Sequence, residues 1–371
     1  LGRGALAVFP AVPLERVFVG GGVSALNVAG KPGRRALVGG LGLAGLLIIV
    51  SIALLERRSP APVPQPSGPE FDYIETRVSL PKTEGSQGPG LETHYPVQAL
   101  TAYTVEPGAG PKYRLLVATY RDGQGASRKA QVYLPVADSS VVREALDGPS
   151  LDRVRGGHWN AMAAAIGRHT AEDALFVSWW DNAQRLHLYT GREIWLRSPA
   201  PEAYRSDCER TLWAAVGGGF ARDGRLARLA GYLLDDADAA VASLRAELPR
   251  DKHAYLLVAT DDLMRLQEMA NLSGREIPLE TRVFPFTGNV HGAISSVKDW
   301  AREGGGTGSY LVQPMPGQQI RAWRIVEPAF QETLLVRLFP FTSSLDRLPQ
   351  GLKLVYRSDW GGYLSIYALS S

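Results

Sequence analysis

The chain has 371 residues, 45% of them hydrophobic and 21% charged, with a formal net charge of +3. That charge is unevenly placed: residues 1–58 hold seven Lys/Arg and two Asp/Glu, leaving 33 basic and 35 acidic residues beyond them. The larger part is therefore near neutral and has no electrostatic footprint for nucleic acid. The single cysteine, Cys208, excludes an internal disulfide, a multi-cysteine metal or iron–sulfur site and a CxxCH haem attachment.

Residues 1–35 are Gly-rich and weakly patterned, and read as a flexible cytoplasmic tail. Residues 36–55 (ALVGGLGLAGLLIIVSIALL) contain no charged residue. Twenty residues at about 1.5 Å each reach roughly 30 Å, the thickness of a bilayer's hydrocarbon core. A helix satisfies its own backbone there, so this stretch is expected to be a single transmembrane helix. Lys31, Arg34 and Arg35 before it, with Arg3 and Arg16, favour an N-terminus inside and an exported remainder. A cleavable signal peptide is the rival reading, but Leu54-Leu55-Glu56-Arg57-Arg58 makes a poor cleavage site. The expected location is the cytoplasmic membrane, single-pass, with the C-terminal domain in the periplasm. Residues 56–70 form a linker, with five prolines in Ser59–Glu70, an extended spacer holding the domain off the membrane.

The exported domain is expected over residues 71–371. Alternating apolar residues in 113–119 and 129–134 flank RDGQGAS and predict a hairpin. Residues 158–169 are helical, and the apolar run 174–181 predicts a buried strand. Residues 182–190 predict a helix closed by Gly191, where a left-handed cap belongs. REIWL (192–196) then reads as the next strand, so strand–helix–strand implies a parallel crossover. Cys208 lies in a helical pattern as an inert, partly buried thiol. Apolar residues at helical spacing run from Leu233 to Leu248, with Asp235 or Asp236 near the cap. Residues 255–259 predict a strand, Asp261-Asp262 the start of a helix to about Asn271, 281–286 a strand, 294–302 a helix, and 310–313 an extended segment. Residues 321–326, 334–339, 352–357 and 363–369 are expected as strands, the last two joined by a turn at Ser358–Gly362. The expected fold class is α/β, with a mixed, partly parallel sheet and antiparallel edge hairpins.

Trp179-Trp180-Asp181 is the most unusual feature. It falls at the carboxyl end of an expected strand where a helix begins, the place where open α/β sheets hold ligand crevices. Alternation along a strand would put one tryptophan in the core and leave the other, with Asp181, at the rim. An aromatic wall beside a carboxylate suits a hydroxyl, a peptide or a partner surface; the competing reading is core packing for both rings and a helix cap for Asp181. Candidate partner- or ligand-binding residues are Trp179, Trp180, Asp181, Gln184 and Arg185. No catalytic residue is assigned. The six histidines never fall at the i, i+3 or i, i+4 spacing of a helical metal site. His158, in GGHWN, and His187, beside the Trp-Trp-Asp helix, are the two of most interest, each more often a structural histidine than a ligand. Gly217–Gly219 and Gly304–Gly306 lack phosphate-loop spacing, and no GxSxG elbow is present. No cofactor and no metal are expected.

SWWDNAQRLHLYTGREIWL resembles the segment of oligosaccharyltransferases that holds their WWDYG motif, with looser similarity in HAYLLVATDDL and LKLVYRSDWGGYLSIYAL. That resemblance implies an acceptor-hydroxyl role for Trp179, Trp180 and Asp181, although Asn182 and Ala183 replace the Tyr-Gly. Glycosyl transfer in that family needs many membrane helices, where this chain has one. Over residues 36–371 the anchor, the spacer, the domain length and the SWWDNAQR segment also resemble the HaoB-like family, membrane-anchored proteins encoded with hydroxylamine oxidoreductase. This resemblance implies a noncatalytic accessory that docks a multihaem hydroxylamine oxidoreductase to the membrane; a trimeric partner would gather several anchors. An acceptor-binding protein or enzyme related to the oligosaccharyltransferase soluble domain is the alternative.

Overall fold

Strand-forming alternation and turn chemistry set the first layer. In the computed structural model, β1 (Phe71–Val78), β2 (Val97–Pro107), β3 (Tyr113–Arg121) and β4 (Ser127–Val132) form an antiparallel sheet in that order. The expected β3–β4 hairpin is present. Its turn is fixed by Asp122, whose Oδ1 accepts the N–H groups of Gln124 and Ala126 at 3.0 and 2.9 Å, while Gly125 takes the left-handed conformation at φ 77°. Leu115–Ala118 are buried consecutively, as in a strand covered on both faces. β1 and β2 escaped the sequence reading.

The structure describes residues 71–78, 93–107, 112–133, 151–285, 290–303, 307–315, 319–339, 348–358 and 362–370, all within the unit Pro66–Ser371. The expected tail, membrane helix and proline-rich linker lie outside these residues. Among the described residues, no helix is long and apolar enough to cross a membrane.

The chain continues through α1 (Leu151–His169), β5 (Leu175–Val177), α2 (Trp180–Thr190), β6 (Glu193–Ile194), α3 (Asp207–Gly217), α4 (Arg225–Leu233), α5 (Ala237–Glu247) and β7 (Ala254–Ala259). A 3₁₀ turn, Thr260–Arg265, leads into α6 (Leu266–Ser273). Next come β8 (Leu279–Pro285), α7 (Val290–Arg302), β9 (Tyr310–Met315), β10 (Gln319–Ile325), α8 (Leu334–Leu338), β11 (Leu352–Arg357) and β12 (Leu364–Leu369).

The central sheet has the order β11-β12-β7-β5-β6. β5 pairs parallel with both β6 and β7, whereas β12 pairs antiparallel with β7 and β11. The α/β class, the parallel unit and the antiparallel edge hairpin thus match the sequence reading. A third sheet, β8-β10-β9, is antiparallel. It packs on α7 through a small core of Phe284, Val297, Trp300, Val312, Ile320 and Ala322.

Three expectations change. The strand expected over 174–181 stops at Val177, because Trp180 already begins α2, and REIWL contributes only Glu193–Ile194. The run Leu233–Leu248 breaks where α4 ends; Asp236 Oδ1 then accepts the Ala239 N–H at 3.2 Å and starts α5. Residues 334–339, expected as a strand, are largely the short helix α8, with Leu334, Leu335, Val336 and Leu338 all buried. A short apolar run buried on every side carries no periodicity to separate the two forms.

Candidate functional site

β5 connects through α2 to β6 on one side, while its other neighbour is β7. The carboxyl ends of two adjacent parallel strands therefore lie together, and the segments leaving them turn apart. Trp179–Arg185 leave β5 and Thr260–Glu268 leave β7 at this switch point.

α2 is buried from Trp180 to Tyr189. A helix enclosed on all sides must find internal partners for most of the polar groups it carries. Asp181 Oδ1 accepts the Asn182 N–H at 2.9 Å, and Oδ2 receives Arg265 at 3.0 Å. Arg265 also donates to Glu268 Oε1 at 2.8 Å. Glu268 Oε2 accepts the indole N–H groups of Trp179 and Trp180, at 3.2 and 3.1 Å, and the Tyr204 hydroxyl at 3.3 Å. The Arg265 guanidinium lies 4.4 Å from the Trp213 ring centre and 5.5 Å from that of Trp180, so aromatic faces cover what the carboxylates leave open.

A second carboxylate organises the neighbouring half. Asp261 accepts from Tyr133 at 2.8 Å, Tyr363 at 2.7 Å, Arg155 at 2.9 Å and Gln313 Nε2 at 2.7 Å. These donors come from just after β4, from just before β12, from α1 and from β9, so one side chain ties three sheets and a helix. Asp262 links the halves: it accepts from Asn182 Nδ2 at 2.7 Å and from the Ala259 N–H at 2.9 Å. Asn182 Oδ1 in turn accepts from Arg185 at 2.6 Å.

Burial decides the electrostatics. Desolvation raises the Asp262 carboxyl well above its ordinary range, and Asp181 and Asp261 add to the rise. Glu268 is also raised, by burial first and against the pull of Arg265. Asp261 lies below the ordinary carboxylate range, because Arg155, the two tyrosine hydroxyls and Arg185 outweigh its large burial penalty. Arg155 pairs with Asp261, and Arg265 pairs with both Asp181 and Glu268, so the ion pairs of the cluster are made internally.

All five candidate residues are buried, which departs from the rim position expected for Asp181 and one tryptophan. Strand alternation does not apply to Trp179 and Trp180, since both lie past the end of β5. Trp179 occupies the helix N-cap without a side-chain cap bond, so Asp181 is not the cap either; its carboxylate is spent on Arg265. Trp179, Trp180 and Asp181 are brought together around Arg265 and Glu268. Gln184 points elsewhere, donating to the carbonyls of Arg197 at 2.6 Å and Gly217 at 2.9 Å. Arg185, fully buried, donates from Nε to the Gln131 carbonyl at 2.7 Å and stacks on Tyr133 and Trp159 at 4.4 and 4.7 Å. His187 packs against Tyr95 and Tyr120, and its Nδ1 faces the Arg192 carbonyl at 2.8 Å, a structural arrangement with Nδ1–H as donor. Among the described residues no group of His, Cys, Asp and Glu is placed to hold a metal.

Sequence reasoning missed Arg265 and Glu268, the partners that explain the segment. Asp261-Asp262 were expected only to start a helix; Asp262 does accept the Ala259 N–H, but Asp261 is a hub. The available signal was the strand–turn–helix pattern of YLLVATDDLMRLQE, which repeats the architecture of the Trp-Trp-Asp segment one strand away.

Fold and cluster together define an α/β domain with a closed, internally compensated polar centre at its switch point. The chain belongs to the family described as HaoA-associated protein HaoB, whose model matches residues 37–369. No curated protein matches. Among solved structures, the C. jejuni pglb C-terminal domain is similar over 57% of this chain and 99% of its own, at 12% identity and a TM-score of 0.37.

Proposed function

We propose that this chain is a noncatalytic accessory protein that holds the hydroxylamine oxidoreductase HaoA at the membrane. Residues 36–55 span the cytoplasmic membrane, residues 56–70 act as the spacer, and the domain beyond presents a partner surface in the periplasm. Membership of a family named for its association with HaoA, over residues 37–369, is the observation that carries this reading.

The geometry is in keeping with it. A catalytic carboxylate must reach a reacting atom, whereas Asp181, Asp261, Asp262 and Glu268 each spend their oxygens on internal donors. Trp179, Trp180, Asp181, Gln184 and Arg185 then serve the partner surface from beneath, as positioning residues that hold β5, α2 and α6 in fixed relation. The acceptor-binding alternative asks for Asp181 at an open rim, and its 5% exposure gives that reading no support.

Pull-down from detergent-solubilised membranes tests the proposal. HaoA is expected to co-purify with the tagged full chain, and its recovery only in the unbound soluble fraction would overturn it.

A further inference from the structure

The 3₁₀ turn Thr260–Arg265 points nearly every side chain inward. Thr260, Asp262 and Leu263 are buried, and Asp261 and Arg265 enter the polar cluster. Met264 is the exception, 50% exposed. Beside it lies the outer end of the third sheet. Val283, Arg321 and Gln313 are register partners across β8, β10 and β9 and so share one face. Gln313 is buried and donates to Asp261, Val283 is 43% exposed, and Arg321 sits between them.

Arg321 has unusual company. Its Nη1 approaches the Met264 sulfur, and its guanidinium lies 5.9 Å from the Trp323 ring centre. No carboxylate pairs with it among the described residues. Burial alone acts on it, lowering its pKa, whereas neighbouring Arg324 is matched by Glu280 at 2.7 Å. Among the described residues, this half-buried guanidinium, flanked by an exposed methionine and an exposed valine, meets no anionic acceptor. The flanking apolar groups ask that the acceptor arrive on an apolar surface. Arginine and methionine are enriched in protein interfaces, and arginine is among the residues that most often carry their binding energy.

We infer that Met264, Val283 and Arg321 form the docking patch for the oxidoreductase partner, which presents to Arg321 an Asp or Glu side chain set among apolar residues. The inference rests on the docking role proposed above. It also gives the polar cluster a purpose, because the turn that displays Met264 is the one whose other residues build the cluster. The occupant is a protein rather than a free anion, since a lone anion would leave Met264 and Val283 in water.

The test measures the affinity of purified HaoA for the full chain in detergent, for wild type, Arg321→Glu, Arg321→Lys and Met264→Asp. Charge reversal at Arg321 is expected to weaken binding by at least about tenfold, with Arg321→Lys intermediate and Met264→Asp also weakened. Unfolding midpoints show that the variants fold, and Met264→Asp carries the test if Arg321→Glu does not. Wild-type binding with both variants unchanged would overturn the patch and leave the docking role standing. Failure of wild type to bind HaoA would overturn both. Co-sedimentation of the chain with anionic vesicles, or its self-association, abolished by Arg321→Glu while HaoA binding persists would reassign the patch to lipid or to a second copy.

Discussion

Replacing Arg265 with alanine removes the one cation that Asp181 and Glu268 share. The three side chains are only 8–11% exposed, so water cannot take over the lost bonds. Breaking a buried pair by deleting one partner typically costs about 3–5 kcal/mol, and the stacking of Arg265 on Trp213 is worth up to about 2 kcal/mol more. These contributions share atoms and do not add fully. The expected loss is about 4 kcal/mol, a large share of the roughly 5–15 kcal/mol that holds a domain folded. Urea unfolding of the solubilised full chain, followed by tryptophan fluorescence, reads both the stability and the environment of Trp179, Trp180 and Trp213. The triple variant Arg265→Met, Asp181→Asn, Glu268→Gln removes all three charges together and is expected to recover at least half of the loss. A loss below about 1 kcal/mol for Arg265→Ala, the value of an exposed ion pair, would refute the claim that the cluster is closed and compensated.

Other expectations follow from the same geometry. Asp261→Leu deletes an acceptor shared by Tyr133, Tyr363, Arg155 and Gln313 and is expected to cost about 3–5 kcal/mol in chemical unfolding; Tyr363→Phe, losing one of those bonds, should cost nearer 1 kcal/mol. The Asp122 carboxyl is held down at about 2 by Arg128 and by the turn N–H groups, so its folded value lies below its unfolded one. Its contribution is present above pH 3.8 and lost as pH falls toward 2; Asp122→Asn should flatten that part of the acid-unfolding profile, and an unchanged slope would count against the pairing. Gly191 caps α2 at φ 68°, and an added Cβ would meet the His94 ring at 2.5 Å. Gly191→Ala is expected to lower stability by roughly 2 kcal/mol, partly restored by His94→Ala, which relieves the overlap but not the backbone strain.

Much of the architecture was legible because its signals are local. Turn residues at Asp122 and Gly125 and the left-handed cap at Gly191 each fix a chain reversal or helix end through their own neighbours. The strands expected on either side of α2 are longer than those formed, since β5 and β6 span only three and two residues, and Trp179-Trp180 share the composition of a buried strand. α8 was misread for a related reason: in Leu334–Phe339 burial on all sides erases periodicity. Placing Trp-Trp-Asp where a buried strand gives way to a helix was right in topology. What lay beyond the sequence was direction, because the partners of Asp181, Trp179 and Trp180 come from Arg265 and Glu268, more than 80 residues away. A carboxylate read by itself looks available, and only the tertiary structure shows the guanidinium that occupies it.

In the proposed role, one end of this chain holds the membrane while the other holds HaoA. Flotation tests it directly: HaoA is mixed with liposomes, with or without the reconstituted full chain, and centrifuged through a density gradient. HaoA is expected to rise with the liposomes only when the chain is present. HaoA that remains at the bottom beside chain-bearing liposomes, or that rises equally without the chain, would contradict it.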